Sequence, residues 1–419
     1  MDCYCNGVVG GDRGDFAVEL AGSREGPQNP AADLTAAQRA AAPTFTPPQR
    51  GINGRLCLPD PSLNRQILRL GIPSMVATLS VPLIGIVDTA MVGHLSEVSY
   101  MGAVAVGSVI FDVIYWGLGF LRMGTTALVA QYYGAGDRRS CTGVLLQGSL
   151  IAIVTGLMLI FFRESVAGIG FYLTGGTEDV QAWGKQYFVI RALGGPMVLL
   201  TLVFTGFFRG VADAIRPMWL TIVVNVVNVG GDYVLIYGKF GAPEMGVLGA
   251  AWASVLAVLA GTIYGFVVLV WRYWGYVRVW PEQVFDRAKL RLMGATHFYL
   301  FGRTACLLFA QFFMLSLVAR MGETALAANA VLWQIWSLVS FSVDGFAHAA
   351  ETLVGNALGS RNFSEARQIA RQCLVWGTGL GLGYTLAYAV AMDPIVQVFT
   401  DHAEVVSTAV ALTFWVSAI

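Results

Sequence analysis

Residues 128–137 read LVAQYYGAGD, and residues 353–362 read LVGNALGSRN, an offset of 225. Upstream, Gly119-Phe120 faces Gly345-Phe346 at an offset of 226, one residue of slippage between diverged copies. Each copy closes a long apolar run and opens into a basic loop, with Arg138 and Arg139 after the first and Arg361 after the second. A transition repeated in this way predicts a chain built from two related halves.

From Ile67 onward the chain reads as long apolar segments parted by short polar loops. Crossing a bilayer core takes ~20 apolar helical residues. Ten spans are predicted, at about 67–95, 102–132, 142–162, 185–208, 217–238, 247–271, 294–319, 326–356, 373–392 and 404–419. The first copy of the repeat ends span two and the second ends span eight. An even number of helices between equivalents preserves topology, so the halves are parallel repeats about an axis along the membrane normal. The expected fold is an all-α polytopic membrane protein of two pseudo-symmetric six-helix bundles. The first lobe covers 61–272, an inter-lobe loop covers 273–293, and the second lobe, 294–419, is expected to be incomplete because the chain stops at TFWVSAI inside the tenth span.

Composition agrees. The 419 residues are 56% hydrophobic and only 12% charged, with a mean hydropathy of +0.63. Soluble domains carry roughly 25% charged residues. Half that amount cannot cover a water-facing surface, so lipid is the expected solvent and partner. The formal net charge of zero gives no reason to expect nucleic acid. The six cysteines and four histidines make no clear metal pattern; Cys3 and Cys5 form one CxC in a polar tail. Residues 1–60, rich in Gly, Pro, Ala, Asp and Arg without an apolar period, are read as a disordered tail.

Loop charge sets the expected orientation. Arg65, Arg69, Arg138, Arg139, Arg209, Arg216, Arg272, Arg278, Arg287, Lys289, Arg291, Arg361, Arg367 and Arg371 fall on one side. The opposite loops hold Arg163, Lys185, Lys239 and Arg320, with Arg191 at a helix edge. The positive-inside rule makes the first set and the N-terminus cytoplasmic, in a plasma (inner) membrane.

Ionisable residues within spans are costly and therefore functional candidates. Asp88 lies in PLIGIVDTAMVGHL of span one, six residues after Pro82. Asp232 lies in NVVNVGGDYVLI of span five, where Asn225, Asn228 and Asp232 share a helical stripe. Ser254 lies in span six. At ~1.5 Å per residue, Asp88, Asp232 and Ser254 each fall about 10 Å below the same end of their helices. One shared depth suits a cation or proton site. Two carboxylates close together in low dielectric cannot both ionise cheaply, so one is expected to hold a proton. The alternative is that each Asp caps or pins a kink. Asp112, Tyr115 and Trp116 in span two either line a substrate pocket or form a packing face. Arg122, deeper in that span, suits a structural ion pair or a helix-end contact. Asp344, His348 and Glu351 form a stripe on span eight that either faces a central cavity or locks the lobe's helices.

PLIGIVDTAMVGHL, GFLRMGTTALVAQYYGAGD, TGFFRGVADAIRP, NVVNVGGDYVLI, GVLGAAWASV and SVDGFAHAAETLVGNALGSRN occur in that order. Together they resemble multidrug and toxic compound extrusion transporters, most closely the DinF-like branch, from about residue 62 to the end. The resemblance implies a V-shaped pair of six-helix bundles and efflux driven by protons, sodium or both. It implies that Asp88 is the helix-one aspartate, that Asn228 and Asp232 are the helix-five pair, and that Ser254 keeps the hydroxyl of the helix-six threonine. The acidic helix-seven site of another branch has no counterpart, since span seven offers Gln311. The resemblance also implies twelve helices against the ten read here.

The expected function is cation-coupled antiport, with proton or sodium as the coupling ion and no cofactor, exporting small organic compounds that are cationic or amphipathic. A monomer is expected. The alternatives are a lipid-linked precursor flippase of the same superfamily, or a truncated fragment without transport. A flippase needs a large cationic cavity, and Asp88, Asp112 and Asp232 against Arg122 and Arg191 lean acidic instead. No Ser-His-Asp set, paired-Asp protease motif or metal-spaced histidines point to an enzyme.

Overall fold

The computed structural model describes residues 61–92, 98–175, 177–279, 287–397 and 403–411. The expected tail over 1–60, loop residues 280–286 and the close of the tenth span over 412–419 lie outside the described residues. The described chain is helical nearly throughout. The first bundle contains α1 (Pro61–Val92), α2 (Val98–Gly117), α3 (Phe120–Gly134), α4 (Arg138–Phe161), α5 (Arg163–Thr174), α6 (Glu178–Arg191), α7 (Gly195–Gly210), α8 (Ile215–Ile236) and α9 (Val247–Arg272). A short α10 (Trp274–Val277) leads towards the second bundle, with α11 (Arg287–Ala319), α12 (Glu323–Gly359), α13 (Phe363–Gln397) and α14 (Ala403–Ala411).

Eight stretches among the described residues are long and apolar enough to cross a bilayer, from Ser99–Gly134 to Phe363–Gln397. They coincide with expected spans two to nine, while α1 and α14 occupy the first and tenth. Two expected single helices are broken. Span two divides at Leu118 and Gly119, within a Gly-Leu-Gly run that holds helix weakly. Span four is α6, a 3₁₀ turn at Ala192–Gly194, and α7. Pro196 lacks an N–H and sits in the first turn of α7, so the ladder restarts there. Proline removes a ladder donor, yet α1 runs as one helix past both Pro73 and Pro82.

Large apolar side chains point outward as well as inward: Trp271 is 91% exposed and Phe161 80%. Lipid tails solvate such a surface, so close packing rather than the hydrophobic effect must hold helix to helix. The first bundle packs around Leu121, Val129, Leu199, Val203, Phe207 and Phe208, all fully buried.

The repeat is visible bond by bond. After α3, the N–H groups of Ala135, Gly136 and Asp137 donate to the carbonyls of Gln131, Tyr133 and Tyr132. After α12, those of Ser360, Arg361 and Asn362 donate to Asn356, Leu358 and Ala357, each 225 residues on. Gly136 and Arg361 hold the matching positive φ of 74° and 59°. Asp137 then caps α4 through the Ser140 N–H at 3.0 Å, and Asn362 caps α13 through the Glu365 N–H at 3.2 Å. The exit from α7 uses the same turn, with Ala212 at φ 60°. There Asp213 accepts from the Ile215 and Arg216 N–H groups and from Tyr273 Oη at 2.6 Å. Burial, reinforced by that bond, pushes the Tyr273 phenol above its usual range.

The two bundles meet along α1 and α3 on one side and α11 and α12 on the other. A Cβ added to Gly134 would overlap the carbonyl of Asn356, and one added to Gly359 would overlap that of Gln131. Gln131 and Asn356 are repeat equivalents, as are Gly134 and Gly359, so the two contacts are mirror uses of one surface. Ala130 touches its own equivalent: a Cβ on Gly355 would lie 2.7 Å from Ala130 Cβ. A residue that meets its own counterpart lies on the pseudo-two-fold axis, which therefore runs between α3 and α12.

Candidate functional site

Asn225, Asn228 and Asp232 project from one stripe of α8. Asp232 is fully buried and Asn228 is 2% exposed. The stripe is held against α1 by two rungs. Asn225 Nδ2 donates to the Ser80 carbonyl at 3.0 Å, and Tyr237 Oη donates to the Met91 carbonyl at 2.7 Å. The rungs pair positions 145 and 146 residues apart, so α1 and α8 run side by side in the same direction. Interpolating between them sets residue 88 level with 233–234, about 2 Å along the axis from Asp232. The side chain of Asp88 lies outside the described residues; its backbone position in α1 is what fixes this level.

The third wall is α9. Gly231 lies so close to Ala253 that an added Cβ would stand 3.0 Å from the Ala253 Cβ, and Gly249 abuts the backbone of Leu235 and Ile236. These contacts put Ser254, 9% exposed, between the levels of Asn228 and Asp232. Both amide atoms of Asn228 and the Asn225 Oδ1 are buried with no hydrogen-bond partner among the described residues. Buried polar atoms are rarely left so. A carboxylate, an amide and a hydroxyl at neighbouring levels, with the second amide, that of Asn225, about 10 Å along α8 from Asp232, supply oxygens for a hard cation, or a protected acid for a proton.

The expected substrate residues separate into two groups. Asp112 and Trp116 lie on the exposed stripe of α2 with Val109 and Val113. Asp112 feels the charge of Arg191. Arg191 stacks 4.6 Å above the Phe111 ring and donates to Ser108 Oγ and Tyr187 Oη. Tyr115 packs on Phe111 at 4.6 Å, and its hydroxyl is buried without a partner among the described residues. Asp112 sits at membrane depth but faces away from the protein core, so it is no part of a buried packing face. A long α2 side chain on that face meets a cavity or lipid, not packed helix.

Asp344, His348 and Glu351 point instead at α3 and α7. Arg122 Nη1 approaches His348 Nδ1 at 3.4 Å, and Glu351 Oε2 is 3.7 Å from the same nitrogen. Arg122 donates to Nδ1 only when that nitrogen is unprotonated. Glu351 then answers Arg122 through charge. Arg209, at the end of α7, is 5% exposed. Its Nε and Nη1 have no hydrogen-bond partner among the described residues. It interacts electrostatically with Arg122, Glu351 and Asp344. The sequence suits Arg122 to a structural ion pair or helix-end contact and places Arg209 among the loop charges, whereas Arg209 is buried inside the last turn of α7. For Arg122 and His348 the sequence does hold a signal: the two are 226 apart, the offset of Gly119-Phe120 and Gly345-Phe346. His297, which takes part in no metal pattern, is buried against Gly124 and lies 5.2 Å from the Phe120 ring.

Among the described residues no three of His, Cys, Asp or Glu are grouped to hold a metal ion. The family model MatE matches residues 73–234 and 300–417. DNA damage-inducible protein F of Escherichia coli (strain K12) is 30% identical over 356 residues, covering 84% of this chain and 76% of that protein. The probable multidrug resistance protein NorM of Thermotoga maritima is 28% identical, covering 83% of this chain and 74% of NorM. The crystal structure of MATE in the bent conformation superposes with a TM-score of 0.76 at 21% identity, covering 85% of this chain and 79% of that one.

Proposed function

This chain belongs to the MatE family, which is made of transporters and not enzymes, and on that premise we propose that it is a cation-coupled antiporter. Protons are the coupling ion, with sodium the alternative. The cargo is small, organic, and cationic or amphipathic, in keeping with the multidrug-resistance names of relatives such as NorM and MdtK. The observation that carries the reading is the fully buried Asp232 beside Asn228, level with Asp88 across α1. An acid that is shielded from water in one state and must exchange its proton in another is what coupling demands.

The test is export of a cationic dye from vesicles carrying the full chain, under a pH gradient alone and then a sodium gradient alone. One-for-one exchange with protons gives about tenfold dye accumulation per pH unit, since one unit is 1.36 kcal/mol. Accumulation that follows sodium alone reassigns the ion. No response to either gradient overturns antiport.

A further inference from the structure

We propose that Arg122 and Arg209 of the first bundle and Asp344, His348 and Glu351 of the second form an inter-lobe charge latch that governs closure on the side of the basic loops. The inference rests on the transporter reading only in that the two bundles must part during the cycle.

Four observations converge. Arg122 and His348 are repeat equivalents that touch, so the latch straddles the pseudo-two-fold axis. Ala130 and Gly355 touch on the same axis eight residues further along α3, about 12 Å away. The latch thus sits directly above the tightest helix crossing between the bundles. The third observation is Arg209, buried with two guanidinium nitrogens unanswered among the described residues. A buried cation with incomplete hydrogen bonding is tolerable only where carboxylates stand close by. Both of those acting on Arg209, Glu351 and Asp344, belong to the other bundle. The last is charge matching across the interface: two arginines of the first bundle face two carboxylates of the second, while Arg303 of the second bundle, exposed at the edge, also acts on Asp344.

Such a network is two-state by construction. With α12 docked, each charge is answered across the interface. With α12 withdrawn, water enters and solvates all of them separately. Intermediate separations strand charges that are neither paired nor hydrated, and so are penalised. None of the five residues belongs to the Asn228–Asp232 layer, so the latch controls access and does not bind the coupling ion.

The experiment measures spin-label distances between Tyr133→Cys and Leu358→Cys in full-length protein in lipid nanodiscs, with the other cysteines replaced. These two positions are repeat equivalents, each 40% exposed. Glu351→Gln and Arg122→Gln each leave one net charge in the interface, and each is expected to lower the ratio of short to long distances at least tenfold. The double variant restores neutrality and is expected to recover most of the short population. Arg122→Lys keeps the charge and stays near the parent, which also guards against variants that fold poorly. Single variants with the parent distribution overturn the latch, as does a double variant whose loss is the sum of the two. No substrate or gradient is used, so a failed efflux assay and a failed latch are separate results.

Discussion

Gly355→Ala tests whether the axis contact between α3 and α12 holds the two bundles together. The added Cβ would lie 2.7 Å from Ala130 Cβ, where ordinary contact begins at 3.4 Å. The neighbour is a helix methyl one bond from the backbone and cannot swing aside, so the helices must part by about 0.7 Å or more, the difference between those distances. Overpacking of this kind costs about 1–3 kcal/mol. If the whole cost falls on the closed contact, the closed-to-open ratio drops about 5- to 150-fold. The Tyr133/Leu358 label pair reads that ratio directly. Gly143→Ala in α4 is the control, because its added Cβ meets nothing within 4 Å. It should leave the distances unchanged. Equal distance distributions for Gly355→Ala, Gly143→Ala and the parent would refute the reasoning.

Asp88→Asn is expected to abolish gradient-driven efflux in protein that still inserts and folds; normal efflux by this variant removes Asp88 from the mechanism. If Asp88 and Asp232 hold one proton between them, substrate affinity is expected to rise with pH, because losing that proton charges the site and attracts a cation. Asp232→Asn leaves one carboxylate without a like-charged neighbour, so the rise should move to more acidic pH. Binding that is flat from acid to alkaline pH argues against a titrating site. For orientation, an impermeant thiol reagent applied outside the cell should miss Arg278→Cys and label Glu323→Cys, and the reverse pattern inverts the topology.

The residues of the candidate site were legible because membrane burial makes polar residues conspicuous. Asn225, Asn228 and Asp232 stood out from an apolar helix, and spacing of three and four put them on one face. Their level relative to α1 could only be estimated by counting from uncertain helix ends. The rungs at Ser80 and Met91 replace that count with a register. Asp112 shows the limit of such reasoning. Depth along a helix is written in the sequence, but direction around it depends on which neighbour is packed there.

The sequence by itself determined the all-helical membrane fold, the spans and the parallel repeat. Each of these depends on local or periodic properties: apolar length against bilayer thickness, and one turn recurring after 225 residues. Only the tertiary structure decided which charges meet. Arg122, Arg209 and Glu351 lie on three helices far apart in the chain, and nothing local to any of them names its partner. In lipid, helices associate through close packing of small residues, so glycines at 134, 355 and 359 set where α3 and α12 cross. That crossing fixes which side chains share the dry interface. A charge there is stable only with the partners that the packing delivers.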